Sequence, residues 1–215
     1  MSMFPLPKLR LICGGAAILL MAACGGGDLA TRAASDPALF AAGSGAIAVD
    51  YAVKDINVTV PEHLKVSEAN MYYPIADIVW RGDPRGDRYA QVDAILTDAF
   101  KSATSGMKAG VPVTIEAEVV RFHALTEKTR YMMGGTFSTK FMMTVRDART
   151  GAIIDGPRLV VDDTKAAGGE LALQEEARGL TQKIVVTQAL AARIAMELRR
   201  PAVVSAPQGE AMAGL

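Results

Sequence analysis

The chain has 215 residues, with 23 basic and 23 acidic side chains and a formal charge of zero at neutral pH. That balance excludes a bulk electrostatic attraction to nucleic acid or to an anionic membrane. Half the residues are apolar, enough for one domain with a sizeable core, while two cysteines and two histidines leave little material for metal chemistry.

The first predicted element is a targeting segment. Lys8 and Arg10 precede an apolar run from Leu11 to Ala23, which closes on Leu20-Met21-Ala22-Ala23-Cys24-Gly25-Gly26-Gly27. A basic start, an apolar core short of the ~20 residues a span needs, and a small-residue cleavage region predict a secretory signal peptide over 1–23. The cysteine after two alanines resembles the lipobox of bacterial lipoproteins, with Met21 where that family usually has Leu. The resemblance implies that Cys24 is acylated and becomes the first mature residue. Gly25, where an aspartate would signal inner-membrane retention, implies the outer membrane, with the domain facing the periplasm. An ordinary cleaved signal peptide with an unmodified Cys24, or a retained membrane helix, are the alternatives.

An anchor of this kind holds firmly. One acyl chain gives reversible binding at ~0.8 kcal/mol per buried CH₂, and two or three chains give stable attachment. Cleavage removes Cys13 and so any partner for an intrachain disulfide. It also removes Lys8 and Arg10 and no acidic residue, leaving a mature charge of about −2. Residues 24–50, rich in Gly, Ala and Ser, read as a lipid-anchored flexible tether reaching roughly 25–30 Å root-mean-square. Residues 51–200 read as a periplasmic α+β domain and 201–215 as a disordered tail.

Within the domain, Asp55 to Val60 alternates apolar and polar residues and stops at Pro61, a first strand. Pro74 to Trp80 reads as a second. Asp83-Pro84 has the form of a helix N-cap followed by proline, which also accounts for Arg81-Gly82-Asp83 better than an adhesion tripeptide does. Tyr89, Val92, Leu96, Ala99, Ala103 and Met107 then share one helical face, with Ser105-Gly106 as a stop.

Val113, Ile115, Ala117 and Val119 alternate with polar residues. The phase changes at Val119-Val120, predicting a bulge there, with Val120 and Phe122 apolar beyond it. Phe137, Thr139, Phe141, Met143 and Val145 mark a further strand. Asp147 to Gly151 forms a hairpin loop, and Ile153-Ile154 with Leu159 to Val161 forms the return, Pro157 indicating an edge or a break. Leu173, Ala177, Leu180, Ile184, Thr187, Ala191, Ile194 and Leu198 predict one long final helix, with Gly179 allowing close packing. The order ββαβββα gives an α+β sandwich: a mostly antiparallel sheet of about five strands with two helices packed on one face.

Catalytic and metal chemistry find no support in these residues. His63 and His123 lie far apart, and neither has a His or Cys at ligand spacing. No nucleophile elbow, phosphate loop or dinucleotide fingerprint occurs, Gly134-Gly135 reads as a turn, and Glu116 and Glu118 fall on a wet strand face. The expectation is a protein without catalytic residues, metal or cofactor. Two features suggest partner binding. Tyr72, Tyr73, Trp80 and Arg81 concentrate residue types favoured at interfaces; the plainer explanation is Trp80 packed under the first helix and tyrosines closing the sheet edge. Met132-Met133 and Met142-Met143 flank a strand, so one of each pair, Met133 and Met142, is expected away from the core; gap filling is the alternative.

From Tyr72 to Arg199 the chain resembles the auxiliary lipoproteins of ABC-type (MCE-like) envelope transporters. The landmarks are the strand ending near Trp80, Asp83-Pro84, the helix carrying Leu96, Val113-Thr114-Ile115, Phe122, the Asp147–Gly151 hairpin and the long final helix. The strings Tyr72-Tyr73-Pro74 and Phe122 to Arg130 resemble a small lipoprotein family of undefined function. Lipopolysaccharide-assembly lipoproteins share a similar sandwich. These resemblances imply a non-catalytic accessory or docking subunit of an envelope transport or assembly complex. The alternatives are a stand-alone lipid-binding or structural envelope lipoprotein, and less so a hydrolase. The partners implied are the membrane, through Cys24, and envelope transport proteins or lipid, with no nucleic acid.

Overall fold

The computed structural model describes residues 49–202. The signal segment, Cys24, nearly all of the tether and the tail beyond residue 202 lie outside the described residues. Within them, nine elements follow in order: β1 (Tyr51–Thr59), β2 (Ile78–Val79), α1 (Arg88–Thr104), β3 (Val111–His123), α2 (Glu127–Met132), β4 (Gly135–Asp147), β5 (Ile153–Ala166), α3 (Glu170–Ala177) and α4 (Gln182–Leu198). The fold is mixed α+β, but the order is ββαβαββαα, with four helices where two were expected.

Five strands form one open sheet, ordered β1-β3-β4-β5, with β2 also on β3. The β3–β4 and β4–β5 ladders are antiparallel, whereas β1 and β2 run parallel to β3. A parallel pair needs a crossover, and α1 supplies it between β1 and β3. β1 covers Val111 to Glu118 along one edge of β3, and β2 takes Phe122 and His123 on the same edge. The ladder slips between Val119 and Arg121, where the change of phase predicted a bulge. Val120 is the extra residue and turns to solvent, so Phe122 alone carries the apolar position beyond it.

The core lies between one face of this sheet and the helices α1 and α4, which pack against each other. Val113, Ile115, Phe122, Phe137, Phe141 and Val145 meet Val92, Ile95, Leu96 and Phe100 of α1 and Val186, Leu190 and Ile194 of α4, all essentially sealed from water. Burying each large aliphatic contributes about 1.5–3 kcal/mol. Phe100 and Phe141 meet edge to face at 5.7 Å, tying α1 to β4. Phe100 and Ile95 were absent from the predicted stripe; the helix ends at Ser105, at the predicted Ser105-Gly106 stop, and Met107 lies just beyond it.

Three predicted features are corrected. Helix α1 is capped by Asp87, whose carboxylate accepts the Ala90 N–H at 3.1 Å, not by Asp83. Asp83 is already committed: it accepts Trp80 Nε1–H at 2.9 Å and Lys183 Nζ at 3.1 Å. The long final helix is two helices. Leu180 N–H bonds to Glu175 O and Gly179 N–H to Glu176 O, a C-terminal stop with Gly179 at φ 81°, and Thr181 then caps α4 by accepting the Ile184 N–H. Gly179 is therefore a terminator; no neighbour lies within 4 Å of where its Cβ would be. Finally, α2 occupies a stretch without a predicted element. Thr126 caps it by accepting the Thr129 N–H at 3.2 Å, and six residues are too few to show a helical period.

At the hairpin, Asp147 accepts the N–H groups of Arg149 and Thr150, and Gly151 adopts φ 76°, as the Asp–Gly spacing predicts. β5 runs continuously past Pro157, which its position on the sheet edge tolerates. Among the described residues no helix is long and apolar enough to cross a membrane.

Candidate functional site

The segment from Ser67 to Ala76 is held against the end of the sheet by polar contacts to α2. Thr126 Oγ1 donates to Met71 O at 3.0 Å and Thr129 Oγ1 to Tyr72 O at 3.4 Å, while Lys128 N–H donates to Asn70 Oδ1 at 2.8 Å. Lys128 Nζ stands 4.6 Å from the Tyr72 ring centre, a cation–π contact. Tyr73 and Ile75 are thereby presented to solvent, 80% and 100% exposed. Met132 and Met133 are also exposed, because they end α2 rather than lie in a strand.

Trp80 and Arg81 serve the fold. Trp80 is fully buried, edge to face with Phe122 at 5.7 Å, and so presents nothing to a partner. Arg81 bonds to Glu127 and to the carbonyl of Glu68, and Arg88 pairs with the same Glu68. This network joins the loop before β2 to α1 and α2. Arg88 and Gln91 hold each other at 2.7 Å. The Arg88 bond keeps the Glu68 carboxyl below its ordinary pKa. Met142 is half-buried on the uncovered sheet face opposite Leu159, well along β4 from Met133; Met143 takes the core position, as strand alternation predicts. Cys24 lies outside the described residues.

Tyr72, Tyr73 and Met133 come together around a cavity of about 420 Å³ at this end of the sheet, whose remaining wall includes Arg121, His123 and Ser138. A larger groove of about 870 Å³ lies between the C-terminal ends of α1 and α4. It borders Val49, where the chain leaves the described residues, and none of the expected residues line it.

Residue pattern did not single out Arg121, and it is the decisive member of the smaller cavity. Its Nη2 donates to His123 Nδ1 at 2.9 Å, while His123 Nε2 meets Ala76 O at 2.5 Å. A guanidinium only donates and a carbonyl only accepts, so the ring is the neutral Nε2–H tautomer. Burial, reinforced by Arg121, holds its pKa below the usual histidine value, against the opposing pull of the Ala76 carbonyl and Asp77. Both ring nitrogens are engaged, and neither meets a hydroxyl. Among the described residues no group of three or more His, Cys, Asp or Glu is placed to hold a metal ion.

A two-layer α+β domain with a polar-floored cavity at one end of its sheet defines the class by architecture. The chain belongs to a family of unknown function, DUF6778, whose model matches residues 51–214. No curated protein matches it. Among solved structures, it is similar to a Xanthomonas campestris protein of family DUF330, with 9% identity, TM-score 0.43, and coverage of 74% of this chain and 86% of that one. It is also similar to a minor lipoprotein from Acinetobacter baumannii, with 12% identity, TM-score 0.31, and coverage of 70% of this chain and 98% of that one.

Proposed function

We propose that this protein is anchored by acylated Cys24 to the outer membrane, faces the periplasm, and acts without catalysis as a docking or accessory subunit of an envelope transport or assembly complex. The observation that carries the reading is the Leu20-to-Gly27 signature at the end of an uncharged apolar run. Two features of the domain support it. Exposed Tyr73, Ile75, Met132 and Met133 collect at the end of β3 remote from Tyr51, where the chain arrives from Cys24. Thirteen residues of β3 separate the two ends, roughly 40 Å. The start of the described domain and the exposed cluster therefore lie at opposite ends of β3. The engagement of both His123 nitrogens supports a non-catalytic role, since a general base needs a free one.

Metabolic labelling with an alkynyl fatty acid tests the anchor: the native chain takes the label and Cys24→Ser does not. Equal labelling of both, or of neither, sinks the lipoprotein reading. A photo-crosslinker at Ile75 tests docking and is expected to capture a periplasm-exposed transport or assembly component. A second reading, a stand-alone lipid-binding envelope protein, is favoured by the cavity at Arg121.

A further inference from the structure

Of the described arginines whose side chains are buried or half-buried, Arg81, Arg88, Arg130, Arg146, Arg158 and Arg193 each form an ion pair with a carboxylate. Arg121 is half-buried and forms none among the described residues. Its bond to His123 uses one of five donors, and its Nε–H is buried without an acceptor. Directly across the ladder stands Lys140, which also lacks an ion pair among the described residues. Two like charges in facing positions repel. The acids nearby form no ion pair with either cation among the described residues. Asp77 accepts the Lys65 N–H, Asp163 stands across β4 from Ser138 with Lys165 beside it across from Thr136, and Glu118 forms no ion pair. Two facing cations without an ion-paired carboxylate among the described residues thus stand on the sheet face that α1 and α4 leave uncovered.

That charge borders a cavity of about 420 Å³, inside the ~300–1,000 Å³ range of small-ligand sites. Arg121, His123 and Ser138 line its polar side, and Tyr72, Tyr73 and Met133 its apolar side. The apolar side continues over the rim to fully exposed Ile75 and to Met132. A charge-bearing floor and an open apolar exit are complementary to one kind of molecule.

We propose that this cavity binds the anionic group of an amphiphile, a phosphate or carboxylate carrying an apolar chain, with the anion on Arg121 and the chain along Tyr73 and Met133. The neutral His123 ring accepts from one guanidinium nitrogen and so orients the remaining donors as a fork, the geometry that suits a planar or tetrahedral oxyanion. This deepens the lipid-binding reading and is independent of acylation at Cys24, so its outcome is separate from that of the labelling experiment.

Calorimetric titration of the full chain in neutral detergent with octyl phosphate, inorganic phosphate and octanol tests it. Octyl phosphate is expected to bind at least ten-fold more tightly than either of the others. Arg121→Gln should weaken it by about ten-fold or more, the scale of a lost charge-assisted hydrogen bond, with partial recovery in Arg121→Lys. Tyr73→Ser, at an 80% exposed side chain, should weaken octyl phosphate several-fold while leaving the thermal midpoint unchanged. Inorganic phosphate binding as tightly as octyl phosphate would assign the cavity to the free ion and overturn the amphiphile. Octanol binding as tightly as octyl phosphate, or unchanged affinity in both Arg121→Gln and Tyr73→Ser, would overturn the anion site.

Discussion

Arg121 and His123, two residues apart on β3, are joined by a 2.9 Å bond that fixes the imidazole in its neutral form. Adding a proton at Nδ1 would break that bond and set two cations side by side, with Asp77 the opposing acid. The folded pKa therefore lies below the unfolded value of 6.5, and burial is its main cause. The unfolded chain takes up the proton first on acidification. Stability from this group is present above pH 6.5 and is lost as pH falls through the folded pKa. Thermal midpoints should decline from pH 6.5 downward, ahead of the acid losses at Glu68 and Glu127, whose pKa values are lowered from 4.5. His123→Gln should flatten the upper part of that decline; a profile identical to the parent would refute the assignment.

Two glycines separate torsional strain from steric overlap. At Gly179, φ is 81° and space is open, so Gly179→Ala should cost ~1–2 kcal/mol through backbone conformation alone, and Gly179→Asn less. Gly82 is not left-handed, but a Cβ there would overlap the Trp80 ring atoms Cη2 and Cζ2. The indole is pinned by its bond to Asp83, so Gly82→Ala should cost about 1–3 kcal/mol by overpacking. Denaturant midpoints check both. An asparagine that rescues position 82 but not 179 would contradict this division.

Asp162 lies across β4 from Thr139 on the core-facing side, and burial raises its pKa above 3.8. Its carboxylate accepts the Thr164 hydroxyl at 3.1 Å, and the Arg193 charge only partly offsets desolvation. A raised folded pKa favours the protonated form, so stability from this group is full below pH 3.8 and is lost as pH rises through the folded pKa. Asp162→Asn keeps an acceptor for Thr164 and removes the buried charge. The variant should melt higher than the parent at pH 7, with the difference closing in acid. A lower midpoint at pH 7 would show that the Arg193 attraction outweighs burial.

Glu197, near the end of α4, is buried and gathers three arginines: Arg193 at 2.7 Å, Arg200 at 3.0 Å and Arg158 at 3.6 Å. Arg158 also bonds to Asp155 and to the Glu197 carbonyl, fastening the helix to the edge strand. Glu197→Gln should destabilise by about 2 kcal/mol, less than a fully buried pair loses because Arg193 and Arg200 reach water. The loss should persist at 0.5 M salt, whereas Glu116→Gln, in a half-exposed pair with Arg146, should change little at any salt. Equal salt sensitivity in the two variants would count against the burial argument.

Where a single periodicity decided an element, the residues alone were sufficient. Alternation placed Phe137, Phe141, Met143 and Val145 inward, and the change of phase located the bulge beside Val119. Both follow from the two-residue period of a strand, which is local. The helix signals misled where two residues competed for one role. Asp83 and Asp87 are both suitable caps, and the choice fell to Asp87 because Trp80 and Lys183, the latter distant in sequence, occupy Asp83. A four-residue step continues across Gly179 whether or not the backbone does, so the pattern could not reveal the break.

The candidate site divides in the same way. Tyr72, Tyr73 and Met133 were legible from aromatic and methionine clustering, and they do meet around one cavity. Arg121 was not, because an arginine is marked as unusual only by the partner it lacks, and partners are set by the fold. Residue type and short spacing were enough for the Leu20-to-Gly27 string that resembles a lipobox, for the strand faces and for the small number of histidines and cysteines. The fold settled that Trp80 is core, that Arg81 is a clamp, and that Arg121 and Lys140 face one another with no ion pair to either among the described residues. Those outcomes rest on strand register and burial, which bring together residues that no local pattern connects.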